Sequence, residues 1–188
     1  MAGEPIRRIP RDRDASGRAR NARPRDGLGR PLPYGSTGVP RQPEGVLRSP
    51  AETVDEAQRL LDGGRPFHAH EVFEDAWKAT QAKRSAAESD RRDQRLWKAL
   101  AQYAVGLTHC ARGNPSGAAA LLRRCVEGLE PLASTTPYGL DLATLVGFSR
   151  SLAGRLEAES AAPGTPVLTD PPRLRATPKT ATPKTVGR

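Results

Sequence analysis

Cysteine, histidine, methionine and aromatic residues are all scarce in this chain of 188 residues, which holds two Cys, three His, one Met, two Trp, three Tyr and three Phe. Cys110 and Cys125 cannot make a disulfide framework. Both lie in apolar text of helical spacing and are expected to be buried and reduced. No apolar run approaches the roughly 18 residues that a membrane-spanning helix needs, and the amino end lacks the apolar stretch of a signal peptide, so cytoplasmic is the default location. Also missing are a Gly-rich phosphate loop, a Cys-x-x-Cys pair and a Gly-x-Ser-x-Gly turn. No segment alternates apolar and polar residues as a half-buried strand does.

Proline and charge are abundant but unevenly placed. Residues 1 to 50 hold eight of the 18 prolines, and 11 Arg against 5 acids. Residues 161 to 188 hold six more prolines, and 5 basic residues against 1 acid. The middle is almost neutral, so the net charge of +9 belongs to the ends. Such Arg-, Pro- and Gly-rich text has too little apolar content to offset the entropy of ordering. Residues 1–48 and 161–188 therefore read as disordered basic tails. The second carries the tandem repeat Ala176-Thr177-Pro178-Lys179-Thr180 and Ala181-Thr182-Pro183-Lys184-Thr185. Weak, salt-sensitive nucleic-acid contact through these tails is one expectation.

Residues 49–160 read as an all-α domain, a compact multi-helix bundle of about five helices. Ser49-Pro50-Ala51-Glu52 is a capping box with proline at the first helical position, and Gly63-Gly64 closes that helix. Pro66 opens a second helix, running to about Lys83, with Ala69, Val72, Phe73, Ala76, Trp77 and Thr80 on its apolar side. His68, Asp75 and Lys78 point away, and His70 and Glu74 fall on the border. Ala82 to Asp93 reads as a loop or frayed end. A third helix, about Arg92 to Arg112, is apolar over most of its circumference and belongs at the centre. Asn114 and Pro115 start a fourth helix, and a fifth follows Pro137 with Leu142, Leu145, Phe148, Leu152 and Leu156 at helical spacing. Exposed apolar residues on that last helix would give a homo-oligomer its contact.

All three histidines fall within this domain, and two readings of them stand. In the leading one, His70, Glu71, Glu74, Gln102 and His109 form an internal polar network serving a binding or interaction role. There Trp77 finds an acceptor, Gln102 and His109 satisfy each other, and His68 is solvated. In the alternative, His70 and Glu74, one turn apart, join His109 as ligands of a divalent metal, Zn or Fe. A hydrolase would then use Glu71 as general base. The His-Glu-x-x-His signature is not met, because position 74 is Glu.

The segment His68-Ala69-His70-Glu71-Val72-Phe73-Glu74 is followed by Trp77, Leu100-Ala101-Gln102, His109, Arg112-Gly113-Asn114, Gly117-Ala118 and Gly139-Leu140-Asp141. In this order the elements resemble the bacterial family called domain of unknown function 309. The resemblance covers roughly residues 53 to 156, implies an all-α fold and carries no particular activity with it. One departure is visible, because members carry Gln-Gly-Leu-Ile-Gln-like text where this chain reads Trp97-Lys98-Ala99-Leu100-Ala101-Gln102, matching only the second Gln.

Overall fold

The computed structural model describes residues 23–40, 42–43, 45–82, 87–158, 166–167 and 169–175. Among these the chain is all-helical, with five α-helices and two short 3-10 turns. Helix α1, Pro50–Asp62, begins at the expected capping box. The Ser49 hydroxyl accepts from the Glu52 amide, and the Glu52 carboxylate accepts from the Ser49 amide at 2.8 Å. Helix α2 spans Pro66–Ala82.

Helix α3, Glu88–Ala111, starts one turn earlier than expected. Glu88 and Asp90 lie in its first turn, where carboxylates favour the positive end of the helix dipole. The charged text read as a loop or frayed end is thus regular helix from Glu88, and residues 83–86 lie outside the described residues. Helix α4, Pro115–Leu129, is capped by the Asn114 side chain, which accepts from the Gly117 amide at 3.0 Å. The 3-10 turns Glu130–Leu132 and Pro137–Gly139 lead into α5, Leu142–Ala158, where Asp141 accepts from the Thr144 amide.

Side-chain pairings fix the order of packing. Phe67 meets Arg112 and Trp77 meets Lys98, so α2 and α3 run antiparallel. In the same way Arg123 pairs with Glu157 and Arg150 with Glu130 between α4 and α5. Between α3 and α4 the backbones come close at Gly128, where an added Cβ would lie 2.7 Å from the Ala99 Cβ. The core is centred on α3. Leu96, Trp97, Leu100, Tyr103, Ala104 and Leu107 are all at most 2% exposed. At full burial each large side chain contributes on the order of 1.5–3 kcal/mol.

On α5, Leu142, Leu145, Leu152 and Leu156 are buried, and Phe148 packs edge-on against Tyr103. The apolar surface expected to pair copies is therefore turned inward. None of the large exposed apolar side chains among the described residues, Tyr34, Val46, Leu47 and Tyr138, is on α5.

The inner parts of both tails lie on the domain, which narrows the expected unstructured stretches. Residues 23–40 fold over the start of α2. The Leu32 amide donates to the Pro24 carbonyl and the Val39 amide to the Arg25 carbonyl, both at 2.8 Å. Asp26 accepts from the Leu28 and Arg30 amides and holds a tight turn. Further on, Asp75 on α2 accepts from the Gly45 amide and pairs with Arg48 at 3.6 Å. At the other end Leu174 is fully buried, its amide donates to the Gln58 side chain, and Arg175 pairs with Asp55. Composition undervalued these stretches because their partners are backbone carbonyls and helix side chains far away in sequence. Residues 1–22 and the Thr-Pro-Lys repeats lie outside the described residues.

Gly29 is the tightest point of the amino-terminal strap. Its φ is +74°, and an added Cβ would lie 2.5 Å from the Phe67 ring. Gly29→Ala is expected to weaken docking of the strap by about 1–3 kcal/mol through backbone strain and the clash. Trypsin cleavage after Arg25 should then quicken roughly tenfold or more, the rate equivalent of that loss. An unchanged cleavage rate would contradict the packing described.

Candidate functional site

The site begins with the first two turns of α2, because Pro66 starts the helix and sets Phe67, His68, Ala69 and His70 around its first turn. Ala69 points into the core, and Phe67 and His70 lie half-buried to one side. The Phe67 ring is 6.0 Å from the His70 ring and 5.7 Å from the His68 ring. Two guanidiniums, those of Arg25 and Arg112, lie 5.9 and 5.6 Å from its centre.

His68 is not solvated as the helical wheel suggested. It is 3% exposed, because the strap covers that side of α2 and brings the Gly27 and Pro40 carbonyls to the imidazole. Burial lowers its pKa, with Arg65 adding to the effect, and the two carbonyls only partly offset it.

His70 and Glu74 form the border pair that their spacing implies, with Nε2 and Oε2 3.7 Å apart. That is an ion-pair distance and too long for a hydrogen bond. Glu74 also pairs with Lys78 at 3.0 Å. Burial pushes the His70 pKa down, and Lys78 adds to this, while Glu74 and the Phe67 carbonyl pull it up. Burial prevails, so the ring is neutral near pH 7. Its buried Nδ1 has no well-formed hydrogen bond, and neither has Trp77 Nε1. The acceptor expected for Trp77 is thus not supplied; the Lys98 ammonium instead lies 5.8 Å from its ring.

His109 turns to a different partner. Because the Asn114 side-chain oxygen caps α4, its amide nitrogen must be the atom 2.8 Å from His109 Nδ1. That nitrogen donates, so Nδ1 accepts and the proton sits on Nε2. Gln102, half-buried on α3, is not the partner of His109. Burial and Arg112 lower the His109 pKa. The structure therefore brings His70 and Glu74 together and ties His109 to the α4 cap. Among the described residues no three His, Cys, Asp or Glu side chains gather as a metal site would require. Burial also raises the Cys110 thiol to about 11 and Cys125 to about 12, so neither supplies a thiolate nucleophile.

Glu71 and Glu74 open onto a cleft of about 590 Å³ between α2 and residues 42, 43 and 45–47. Asp75, Lys78 and Ala79 complete the helix wall, and Val46 and Leu47 stand opposite. Sequence reasoning missed this cleft and the arginines on Phe67, since both depend on the strap. Arg112 read only as a helix terminus, although it belongs to the Arg-Gly-Asn element.

Because all three imidazoles bind a proton less readily than the ordinary 6.5, the unfolded chain takes up more protons as pH falls past that value. The histidine contribution is full above about pH 6.5 and is lost as pH drops toward the folded-state values. Urea midpoints should fall between about pH 7.5 and about pH 5, with part of the slope removed in His70→Gln. A flat profile, or one unchanged by the substitution, would contradict the assigned burial.

The model of one family, described as Domain of unknown function (DUF309), matches residues 54–121, which carry α2, α3 and the polar residues above. No curated protein and no solved structure matches the chain.

Proposed function

We propose that this chain, whose residues 54–121 match the DUF309 family model, is a binding protein that takes a cationic, partly apolar group of a partner into the cleft between α2 and residues 45–47. One observation carries the reading. Three carboxylates, Glu71, Glu74 and Asp75, and a single ammonium, Lys78, line a cleft whose other wall presents Val46 and Leu47. Leu47 is 86% exposed and its neighbour Val46 36%, so this wall offers apolar surface to a ligand. The volume is within the range of small-ligand and short-peptide sites. An arginine or lysine flanked by an aliphatic residue meets both walls.

Amide shifts followed by NMR while a Leu-Arg-Leu-Arg peptide is added to the full chain test this directly. Saturable shifts at Leu47 and Ala79 are expected. Glu71→Gln should weaken binding about fivefold, Lys78→Gln should tighten it, and a Leu-Glu-Leu-Glu peptide should not bind. Scattered shifts, or affinities indifferent to both substitutions, would remove the cleft from consideration.

A second reading, the divalent-metal hydrolase on His70, Glu74 and His109, draws support from the 3.7 Å approach of His70 Nε2 to Glu74 Oε2, close enough for both to grip one cation. It requires His109 Nε2 to turn toward them. Elemental analysis of untagged protein decides, since less than about a tenth of an equivalent of Zn or Fe would sink it.

A further inference from the structure

Arg25 and Arg112 are half-buried, approach the same Phe67 ring, and donate to neighbouring carbonyls of one turn. Arg112 donates through Nε and Nη2 to the Leu28 carbonyl, and Arg25 through Nη1 to the Gly29 carbonyl. A guanidinium has five N–H donors. Nη1 of Arg112, and Nε and Nη2 of Arg25, therefore have no protein acceptor among the described residues. Arg30 stands on the same turn, 57% exposed and paired with Asp26 at 2.6 Å. Asp26 is the acid whose charge reaches Arg112, against the charges of Arg25 and Arg30. Asp26 thus serves Arg30 directly and Arg112 at longer range.

Cations held half out of water without acidic partners carry an unrecovered desolvation cost, and planar N–H forks match the oxygens of a phosphate. Fastening the strap explains the bonds to Leu28 and Gly29. It does not explain why two arginines do so at consecutive carbonyls with donors to spare. We infer that Arg25, Arg30 and Arg112 form a binding site for a phosphate group, either inorganic phosphate or the phosphomonoester of a small metabolite. Arg25 and Arg112 would supply the forked donors and Arg30 the outer charge. The site is built by the strap and by α3 together, and it is separate from the acidic cleft.

Calorimetric titration of the full chain with inorganic phosphate at low ionic strength tests this. Saturable one-to-one binding is expected. Arg25→Gln should weaken it about tenfold, the loss of one charge-assisted fork. Arg123→Gln, at an exposed arginine paired with Glu157, should leave it unchanged. Asp26→Asn keeps an oxygen for the Leu28 and Arg30 amides but removes the negative charge, so it should tighten binding about threefold. A purely structural role for the turn cannot produce that tightening.

Exchange of the Leu32 amide reports whether the strap stays docked in each variant. AMP binding more tightly than phosphate would assign a nucleotide, and equal affinity would assign the phosphate group alone. No saturable heat from the wild-type chain would overturn the inference. So would equal losses in Arg25→Gln and Arg123→Gln, or weakening by Asp26→Asn with the strap still docked.

Discussion

A helix that is apolar on nearly every side has to be covered on every side, and α3 imposes that demand on the rest of this protein. Leu96, Trp97, Leu100, Tyr103, Ala104 and Leu107 make one broad face, and the buried Ala99, Ala101, Gly106, Thr108 and Cys110 carry it round most of the helix. Helix α2 covers one flank through Phe73, whose ring stacks on Trp97, and α4 covers another so closely that Gly128 is needed. Helix α5 closes over α4, with Cys125 Sγ and Ser149 Oγ 3.8 Å apart at their contact. What remains is one side of the end of α3 near Cys110 and Arg112, beside the start of α2. The flanking segments reach it, with the Val167 amide donating to the Cys110 carbonyl and the Arg112 guanidinium donating to the Leu28 carbonyl.

That closure by flanking segments gives the polar residues of α2 their character. Without residues 23–48, His68 would face solvent, Asp75 would lack Arg48 and the Gly45 amide, and the acidic cleft would have one wall. With them, α2 presents two opposed chemistries. One is the carboxylate-lined cleft toward residues 42, 43 and 45–47, and the other is the group of arginines around Phe67. Neither requires the His70 and Glu74 pair to do chemistry. A neutral imidazole beside a carboxylate already shared with Lys78 is a supporting element of the cleft wall.

How much of this was legible in the sequence follows from the range of each interaction. The capping box at Ser49, the Asn114 cap, the apolar wrap of α3 and the His70–Glu74 pairing are set within a few residues, and periodicity and spacing found them. The start of α3 was misplaced because Glu88 to Arg95 has no large apolar residue, although its acids suit a helix amino end. His68 was misread for a stronger reason. A helical wheel treats the far face as solvent, and here that face is covered by Gly27 and Pro40, some 30 to 40 residues upstream. Arg112 and Leu28 are 84 residues apart. Interactions of that range leave no local pattern, and a segment poor in apolar residues gives no hint that its carbonyls will be used.

The central claim is that residues 23–40 are part of the folded domain and complete its functional face. Hydrogen exchange of the full chain, read at the Gly29, Leu32 and Val39 amides, tests it most directly, because each donates to a carbonyl within the strap. If the strap is docked as described, these amides exchange on the order of a hundredfold or more slower than an unstructured chain. Exchange at the unstructured rate at all three would contradict the account, and would take with it the burial of His68 and the arginines over Phe67.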